Sequence, residues 1–481
     1  MLNSLTCQSF HLVILSSCSF DTTCKLASIT ILTIVQHYSA FRDYDILMNS
    51  FLYQISFILT FGIVALIAIR RTSQVSSASD FSLADRSLPF TGVSWIIIGT
   101  LVGGISTIGT VQAAYTHGIS ACIFTFGSGI SCFLLGCFFA KALREEGVVT
   151  VSEYLGKVFG KRFRYYSSVF NSTGMFIHVV GQFLASIAIL QSVFGFGDVL
   201  SVLLTLVLIG MFVISGGISG AGLLGKIKFF MLYLIMLVSA AVAITKGGGL
   251  NTIISSLPQD ANLLSFVDYG YKPAAIDMLS MIVGVLSTQI YLQAIFSAKD
   301  VKEARNGAFL SAAVIPPIGV LGIIIGLYLR ANFPEVADNA AQALPFFIFH
   351  HFPPIIAAVF SAGILLIVLG TGAGLVLGVT TNLYTDFLSQ RDDLFSRIQP
   401  VRLLRIITLL VLCLAALLVF TGLDSTILKW SYMSMGLRGS AVFAGLFCIV
   451  FLKRFCDNTL IRILLYLLPV IYVLLNITIS D

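Results

Sequence analysis

Charged side chains are scarce in this chain of 481 residues. Asp, Glu, Lys and Arg make up only 10% of it, whereas 57% is hydrophobic and the mean hydropathy is +0.99. A soluble domain typically carries about 25% charged residues, so these few charges cannot cover a soluble surface. The composition excludes a water-soluble enzyme, a nucleic-acid-binding protein and a disordered scaffold. It indicates a protein of the lipid bilayer.

Several sequence motifs are also missing. The nine cysteines include no CxxC pair, so the spacing indicates neither a disulfide framework nor a zinc site. No GxxxxGK[ST] motif occurs, and no connection between apolar segments is long enough for a catalytic domain. We therefore expect neither an ATPase module nor an enzyme, and no cofactor other than a coupling ion.

Residues 1–47 differ from the rest of the chain. They mix Cys, Ser, Thr, His and charged residues, and they lack the basic start, apolar core and cleavage site of a signal peptide. We predict that residues 1–47 are a doubtful leader and that the native chain begins at Met48. Residues 48–481 are then expected to form a single transmembrane domain.

Long apolar runs fill this domain. Each has the roughly 20 residues that an α-helix needs to cross a hydrocarbon core about 30 Å thick. In lipid, each such segment must satisfy its own backbone hydrogen bonds. The sequence therefore predicts an all-α, polytopic membrane protein. Its 12 expected transmembrane helices lie at about 50–69, 91–115, 119–140, 166–193, 197–215, 225–245, 273–296, 306–329, 355–386, 403–421, 426–452 and 459–479.

Basic residues are unevenly distributed between the two sets of connections. If the segment before residue 50 lies outside, the outside connections keep only Lys246, Lys272 and Arg330. Because Lys and Arg are retained on the cytoplasmic side, the pattern predicts that both termini lie outside. We expect the protein in the plasma (inner) membrane.

Glycines and hydroxyl residues occupy the middle of the second span, in the run Gly103-Gly104-Ile105-Ser106-Thr107. A helix interrupted there would free backbone carbonyls to coordinate a cation near the membrane midplane. Close packing of helices through small residues is the alternative.

Polar side chains recur in two later spans. The seventh span holds Gln289, Tyr291 and Gln293, which indicate a polar pathway or a packing network. The ninth span places Thr371 after Gly370. The Thr371 hydroxyl can bind a cation or form a hydrogen bond within its own helix.

Ionisable residues inside the spans suggest two further roles. Arg438 must face the protein interior or water, and it can meet either a solute carboxylate or another helix. Asp277 and His178 are the candidates for an intramembrane catalytic pair. They lie on separate segments without a recognisable spacing, so we expect no enzyme.

Taken together, these stretches resemble the sodium:solute symporter family from about residue 50 to about residue 455. The resemblance is strongest in Gln289–Gln293, together with Ala298-Lys299 and Glu303–Gly307. It is carried by Asp80–Leu88, Gly103–Gly109, Ala114–Gly118, Thr150–Leu155, Gln289–Gln293, Ala298-Lys299 and Glu303–Gly307.

The resemblance implies an inverted five-plus-five helix repeat with alternating access around a midplane site. Repeat one would span about 91–245 and repeat two about 273–452. The first and sixth core helices, here the second and seventh spans, would be discontinuous.

The resemblance also implies a sodium site, from which this chain departs. The family's pair of hydroxyl ligands falls on Gly370 and Thr371, so one hydroxyl is missing. An acidic position falls on Gly225, and Lys226 and Lys228 follow it.

We therefore predict a secondary active transporter that moves a small polar solute, such as an amino acid or organic acid, into the cell with a cation, by default sodium. The alternative is a sodium-independent or proton-coupled carrier in which Lys226 or Lys228 replaces the cation. In either case the predicted partners are the solute, the ion and the bilayer, and we expect no nucleic-acid partner. Expected solute contacts are Ser106, Thr107, Gln289, Tyr291, Gln293 and Arg438; expected ion ligands are Gly103, Gly104, Ile105, Gly370 and Thr371.

Overall fold

A computed structural model describes residues 50–66, 83, 86–258, 262–389, 399–420 and 427–480, without the side chains of residues 214–224 and 475–480. The chain divides into two units, residues 1–56 and 57–481. The account below concerns the second unit. The predicted leader and the predicted start at Met48 lie outside the described residues.

The described part of the chain is helical, apart from connections and one isolated bridge between Leu88 and Ala298. The α-helices are α1 (Ser50–Leu66), α2 (Phe90–Leu101), α3 (Thr110–His117), α4 (Cys122–Leu134), α5 (Ala140–Glu145), α6 (Val151–Phe159), α7 (Lys161–Phe194), α8 (Asp198–Lys246), α9 (Leu250–Ser255), α10 (Tyr271–Val285), α11 (Gln289–Phe296), α12 (Val301–Asn332), α13 (Ala343–His351), α14 (Pro354–Leu383), α15 (Pro400–Val419), α16 (Ile427–Arg438), α17 (Ala444–Phe451) and α18 (Thr459–Ser480). Single π-helical turns extend or join several of them, at Ile105–Gly109, Leu135–Phe139, Tyr384–Leu388 and Gly439–Phe443.

The predicted all-α membrane architecture is confirmed. Within the described residues, eight helical stretches are long and apolar enough to cross a membrane. Four shorter apolar helices accompany them, at Ser50–Leu66, Phe90–Leu101, Asp198–Val213 and Thr459–Leu474. The count of 12 transmembrane helices stays a prediction.

Helix α8 differs from the hydropathy pattern. The pattern predicted one span that ends near residue 215 and another that begins near residue 225, but α8 is continuous over 49 residues. Residues 214–224 contain no proline, so the backbone can continue its i→i−4 hydrogen bonds through them. A helix of this length extends about 74 Å.

Both predicted discontinuities are present. Helix α2 ends at Leu101, and Val102 is extended with φ −92° and ψ 101°. The chain then re-enters helix through the π turn Ile105–Gly109 and continues as α3. Likewise α10 ends at Val285, and the extended Thr288 precedes α11. The first and sixth core helices are thus discontinuous, whereas the residue bounds of the two repeats stay predictions.

Helices α2, α8 and α14 pack against one another beside the first break, and α7 packs against α14 and α16. The close approach of α8 to α2 depends on Gly225. A Cβ atom at this position would lie 2.0 Å from the carbonyl oxygen of Trp95 and 3.3 Å from Gly99 Cα. Because the obstacle is backbone, neither helix can accommodate a side chain there without moving.

We therefore expect Gly225→Ala to destabilise the protein by about 1–3 kcal/mol, the usual cost of overpacking. Thermal unfolding of the purified protein in detergent should show a midpoint several degrees below that of the wild type. Gly62→Ala is the matched control, since a Cβ at Gly62 meets nothing within 4 Å. Equal midpoints for the two variants would contradict the packing described for α2 and α8.

Candidate functional site

The break between α2 and α3 is held open by hydroxyl groups that follow it. The N–H of Gly103 donates to Ser106 Oγ at 2.8 Å, instead of to the Gly99 carbonyl one turn earlier. The Gly103 carbonyl accepts from Ser106 Oγ at 3.2 Å and from Thr107 Oγ1 at 2.8 Å. Ser106 and Thr107, predicted as solute contacts, are therefore bonded to the backbone of the break, and the Gly99 carbonyl is released.

The released carbonyls face Thr371 from α14. Thr371 Oγ1 lies 3.2 Å from Gly99 O and 3.2 Å from Val102 O. Oxygen atoms of this kind are the ligands that hard cations prefer. The structure therefore brings the predicted ion ligand Thr371 to the break. The carbonyls that it meets precede the predicted ones at residues 103–105.

The side chain of Lys228 occupies this group of oxygen atoms. Its Nζ donates to Thr371 Oγ1 at 2.6 Å and also to the carbonyl of Gly99. Lys228 is only 4% exposed, and the described residues offer it no carboxylate at ion-pair distance. The Lys228 amine thus lies where the resemblance predicts a sodium ion.

Two glycines explain how the lysine fits. A Cβ at Gly370 would lie 3.0 Å from Lys228 Cδ, so the lysine stem runs beside the position of the missing hydroxyl. Gly225, the position of the missing acidic residue, faces the Trp95 carbonyl and has no room for a carboxylate. Lys226 is exposed. Of the two predicted cation substitutes, Lys228 alone therefore reaches the break.

The glutamines beside the second break bind the backbone of a neighbouring connection. Gln289 Nε2 donates to Val149 O at 2.9 Å, and its Oε1 accepts from the N–H of Val151 at 3.0 Å. Gln293 is buried, with its Oε1 3.5 Å from Gln289 Nε2. The hydroxyl of Tyr291 is buried without a hydrogen-bond partner in the described structure. Among these predicted solute contacts, Tyr291 keeps an unused polar group.

Arg438 on α16 is fully buried. Its Nη2 donates to Ser434 Oγ at 3.0 Å and lies 3.4 Å from Nδ1 of His178 on α7. Its Nη1 has no partner among the described residues. Gly174 makes room for this arrangement, since a Cβ there would lie 2.3 Å from Arg438 Cγ. The guanidinium thus joins α7 to α16, and the NH2 group of Nη1 stays unused.

A cavity of about 1170 Å³ lies between α3, α10, α16 and α18. Its lining is mostly apolar, and a group of polar side chains, called the polar end below, comes from α3, from the chain that leads into α10, from α10 and from the start of α16. Ser120, Ser280, Ser440 and Tyr472 add further polar groups to the lining. None of the predicted solute contacts is among the described residues that line it. The polar lining residues at that end are Gln112, Thr116, His117, Tyr269, Asp277, Lys429 and Tyr432.

Asp277 is the acidic residue of this polar end. Its Oδ2 accepts a hydrogen bond from the Tyr269 hydroxyl at 2.9 Å. Burial, together with the nearby Asp277 carboxylate, raises the pKa of Tyr269, so the phenol stays protonated and acts as the donor. His178 is bound to Arg438 instead, and the structure does not assemble the candidate catalytic pair of Asp277 and His178.

Sequence reasoning did not assign Gln182 to the break. Its Oε1 accepts from the N–H of Gly104 at 3.0 Å, which satisfies a backbone donor that the interruption exposes. An amide inside a predicted membrane span was the available signal, but its partner lies 78 residues earlier in the chain.

A buried ion pair lies at the π turn that follows α14. Asp386 Oδ1 accepts from Arg164 Nε at 2.8 Å and from Thr150 Oγ1 at 2.9 Å. Thr150 also accepts from the N–H of Glu153 and so caps α6. Asp386 is fully buried. The pair therefore anchors α14 to both α6 and α7.

Comparison with known proteins identifies the family. The family model described as the sodium:solute symporter family matches residues 81–460. The chain belongs to the sodium:solute symporter family. It is accordingly a multi-pass membrane transporter and not an enzyme.

Two curated relatives illustrate the range of the family. A high-affinity choline transporter of Drosophila melanogaster is 23% identical, with 84% of this chain and 67% of that protein aligned. A sodium/glucose cotransporter of Vibrio parahaemolyticus is 22% identical, over 71% of this chain and 69% of that protein.

Solved structures share the fold. A Na+-coupled sialic acid symporter in a substrate-bound outward-open state has a TM-score of 0.71 at 16% identity, over 88% of this chain and 96% of that one. A nucleobase-cation-symport-1 family transporter in a closed conformation has a TM-score of 0.58 at 14% identity, over 79% and 82% of the two chains. At these identities the likeness concerns the fold alone.

The buried ion pair gives a direct test of the described packing in this transporter. Removal of one partner from a buried pair typically costs about 3–5 kcal/mol, because the other charge stays buried and uncompensated. We expect Arg164→Ala to lower the thermal unfolding midpoint strongly.

The matched control is Lys157→Ala, which removes the more exposed pair between Lys157 and Glu146. Such pairs contribute about 0–1 kcal/mol, so its midpoint should stay close to that of the wild type. A loss for Arg164→Ala no larger than that of the control would show that Asp386 is not held as described.

Proposed function

We propose that this member of the family is a secondary active transporter that moves a small polar solute into the cell, and that the ammonium of Lys228 takes the place of a bound sodium ion. The supporting observation is the position of Lys228 Nζ, between the Gly99 carbonyl and the Thr371 hydroxyl. The carrier is then sodium-independent, or it couples solute movement to a proton held on Lys228.

Electrostatic repulsion supports this proposal. A sodium ion bound to the same oxygen atoms would lie next to the ammonium, and we take a separation of about 4 Å. Two unit charges at that distance repel by about 4 kcal/mol at an effective dielectric constant of 20. Since 1.4 kcal/mol corresponds to a factor of ten, sodium affinity would fall by roughly a thousandfold. The site can hold the lysine or the ion, but not both.

The tethered ammonium also supplies the structural effect of an ion. It connects α8, which carries Lys228, to α2 through Gly99 and to α14 through Thr371. Alternating access requires that such contacts differ between the two states of the carrier. Loss of the proton from Lys228 would weaken both contacts, and this gives the proton-coupled form a route to change the equilibrium between states.

Sodium-coupled symport is the second candidate. It is favoured by the family itself and by the Na+-coupled sialic acid symporter that shares the fold. For sodium to bind at this break, Lys228 would have to withdraw. The ligands then released are Gly99 O, Val102 O and Thr371 Oγ1.

The proposed contact between Arg438 and a solute carboxylate has one supporting observation, the unused Nη1 group. Arg438 does not line the described cavity, although its neighbours Leu437 and Gly439 do. The named relatives carry choline or glucose, and the related structure a sialic acid. The groups that line the cavity are therefore a more direct guide to the charge of the solute.

We further propose the topology that the distribution of basic residues supports, with both termini outside and the protein in the plasma (inner) membrane. In this topology the break at Gly103 lies near the midplane. The membrane potential then acts on any charge that moves with the solute.

Thermal stability in sodium and potassium chloride separates the two candidates. Wild-type protein should have the same unfolding midpoint in both salts, because Lys228 fills the site. Lys228→Ala should gain a sodium-selective stabilisation, since the oxygen atoms at the break are vacated. A ligand at a hundredfold excess over its dissociation constant stabilises by about 2.7 kcal/mol.

Two variants control this measurement. Lys226→Ala removes an exposed lysine of the same helix and should behave as the wild type. Adding Thr371→Ala to Lys228→Ala should abolish the gain by removing an ion ligand. A sodium-selective shift in the wild type, lost in Thr371→Ala, would instead show that sodium binds at this site, and it would favour sodium-coupled symport.

A further inference from the structure

We propose that the polar end of the cavity between α3, α10, α16 and α18 binds the ammonium group of an organic cation, whose apolar part lies along the rest of the cavity. This inference rests on the proposed function, since it names the chemical class of the transported solute. It also differs from the carboxylate expected from the sequence.

The carboxylate of Asp277 carries the inference. It lines the cavity, and in the described structure it has no basic partner at ion-pair distance. Its hydrogen bond from Tyr269 occupies Oδ2 alone. A carboxylate accepts several hydrogen bonds, so Asp277 retains acceptor capacity for a cation inside the cavity.

The neighbouring acidic residue, Asp268, already has a partner. Asp268 Oδ2 lies 3.3 Å from Nδ1 of His117, and this pair lies beside the cavity. Lys429 also lines the cavity, but it is exposed and is not at ion-pair distance from Asp277. Asp277 is thus an acidic lining residue without a basic partner at ion-pair distance in the described structure.

Aromatic side chains line the same cavity as this carboxylate. Tyr269 and Tyr432 both line the cavity, and the Tyr269 hydroxyl donates to Asp277. The ring of His117 lies 5.3 Å from that of Tyr269. Tyrosine faces attract cations, including quaternary ammonium groups that cannot donate a hydrogen bond. A carboxylate and two phenols therefore favour an ammonium group over an anion or a neutral sugar.

The remainder of the cavity lining is mostly apolar. Its lining includes Val283 on α10, Phe443 after α16, and Leu468 and Ile471 on α18. Ligand cavities of about 300–1,000 Å³ accommodate whole drug-sized molecules, and this one is about 1170 Å³. The cavity is large enough for a cation that carries an apolar chain, and the chain would displace water from these side chains.

Binding of butyltrimethylammonium chloride to the purified full-length protein tests the inference. Thermal unfolding is followed as the compound is added, with potassium chloride keeping the ionic strength constant. Butylammonium chloride, potassium butyrate and glucose are the comparison probes, so that no probe adds sodium. We expect saturable stabilisation by the two ammonium compounds, and none by butyrate or glucose at the same concentrations.

Three variants identify the site. Asp277→Asn keeps the shape of the side chain and an acceptor for Tyr269, and it should weaken the apparent affinity at least tenfold. Tyr432→Leu should weaken it several-fold, which provides an independent test if Asp277→Asn folds poorly. Asp198→Asn removes a carboxylate that is bonded to Gln191 away from the cavity, and it should bind as the wild type does.

Stabilisation by butyrate instead of the ammonium compounds would overturn the inference, as would unchanged affinity in both Asp277→Asn and Tyr432→Leu. Neither result would alter the outcome for Lys228, which is measured in sodium and potassium without any solute. Conversely, if the ammonium compound binds but is not carried into proteoliposomes, the binding site stands and transport of this solute class fails.

Discussion

The contact between the ammonium of Lys228 and the break in the first core helix is the interaction on which the rest of the site depends. An unpaired carbonyl and an unpaired ammonium would each be costly to bury. At this break the Gly99 carbonyl, the Thr371 hydroxyl and Lys228 satisfy one another. Three helices are thereby joined at one point. In the account proposed here, the chain itself supplies the cation that holds the interrupted helix.

Small residues allow this contact by controlling how closely the helices approach. A side chain at Gly103 would overlap Thr371, one at Gly225 would meet the Trp95 carbonyl, and one at Gly370 would press on the lysine stem. The absence of a second hydroxyl and of an acidic residue is therefore coupled to the presence of Lys228. The Asp386 carboxylate is paired with Arg164, whereas the Asp277 carboxylate lines the cavity and has no basic partner at ion-pair distance among the described residues.

Much of the fold could be predicted because it depends on local properties of the chain. Continuous apolar runs specified the helices, and glycine with hydroxyl residues at 103–107 indicated the first break. The direction in which each side chain points could not be predicted from the sequence. Lys226 and Lys228 are two positions apart, roughly 200° around a helix, so which of them is buried depends on tertiary packing. The partners of Gln289 lie 138 and 140 residues away, and hydropathy carries no information about such contacts. The continuity of α8 was missed for a related reason, because polar and small residues lower hydropathy without breaking a helix.

The position of the Lys228 side chain can be observed directly. A cryo-electron microscopy map of the purified protein in sodium chloride, at a resolution that shows side chains and bound ions, would test the central claim. The account predicts continuous density from Lys228 to the Thr371 hydroxyl and the Gly99 carbonyl. Density for Lys228 directed away from the break, with a separate ion peak between Thr371 and Val102, would contradict it.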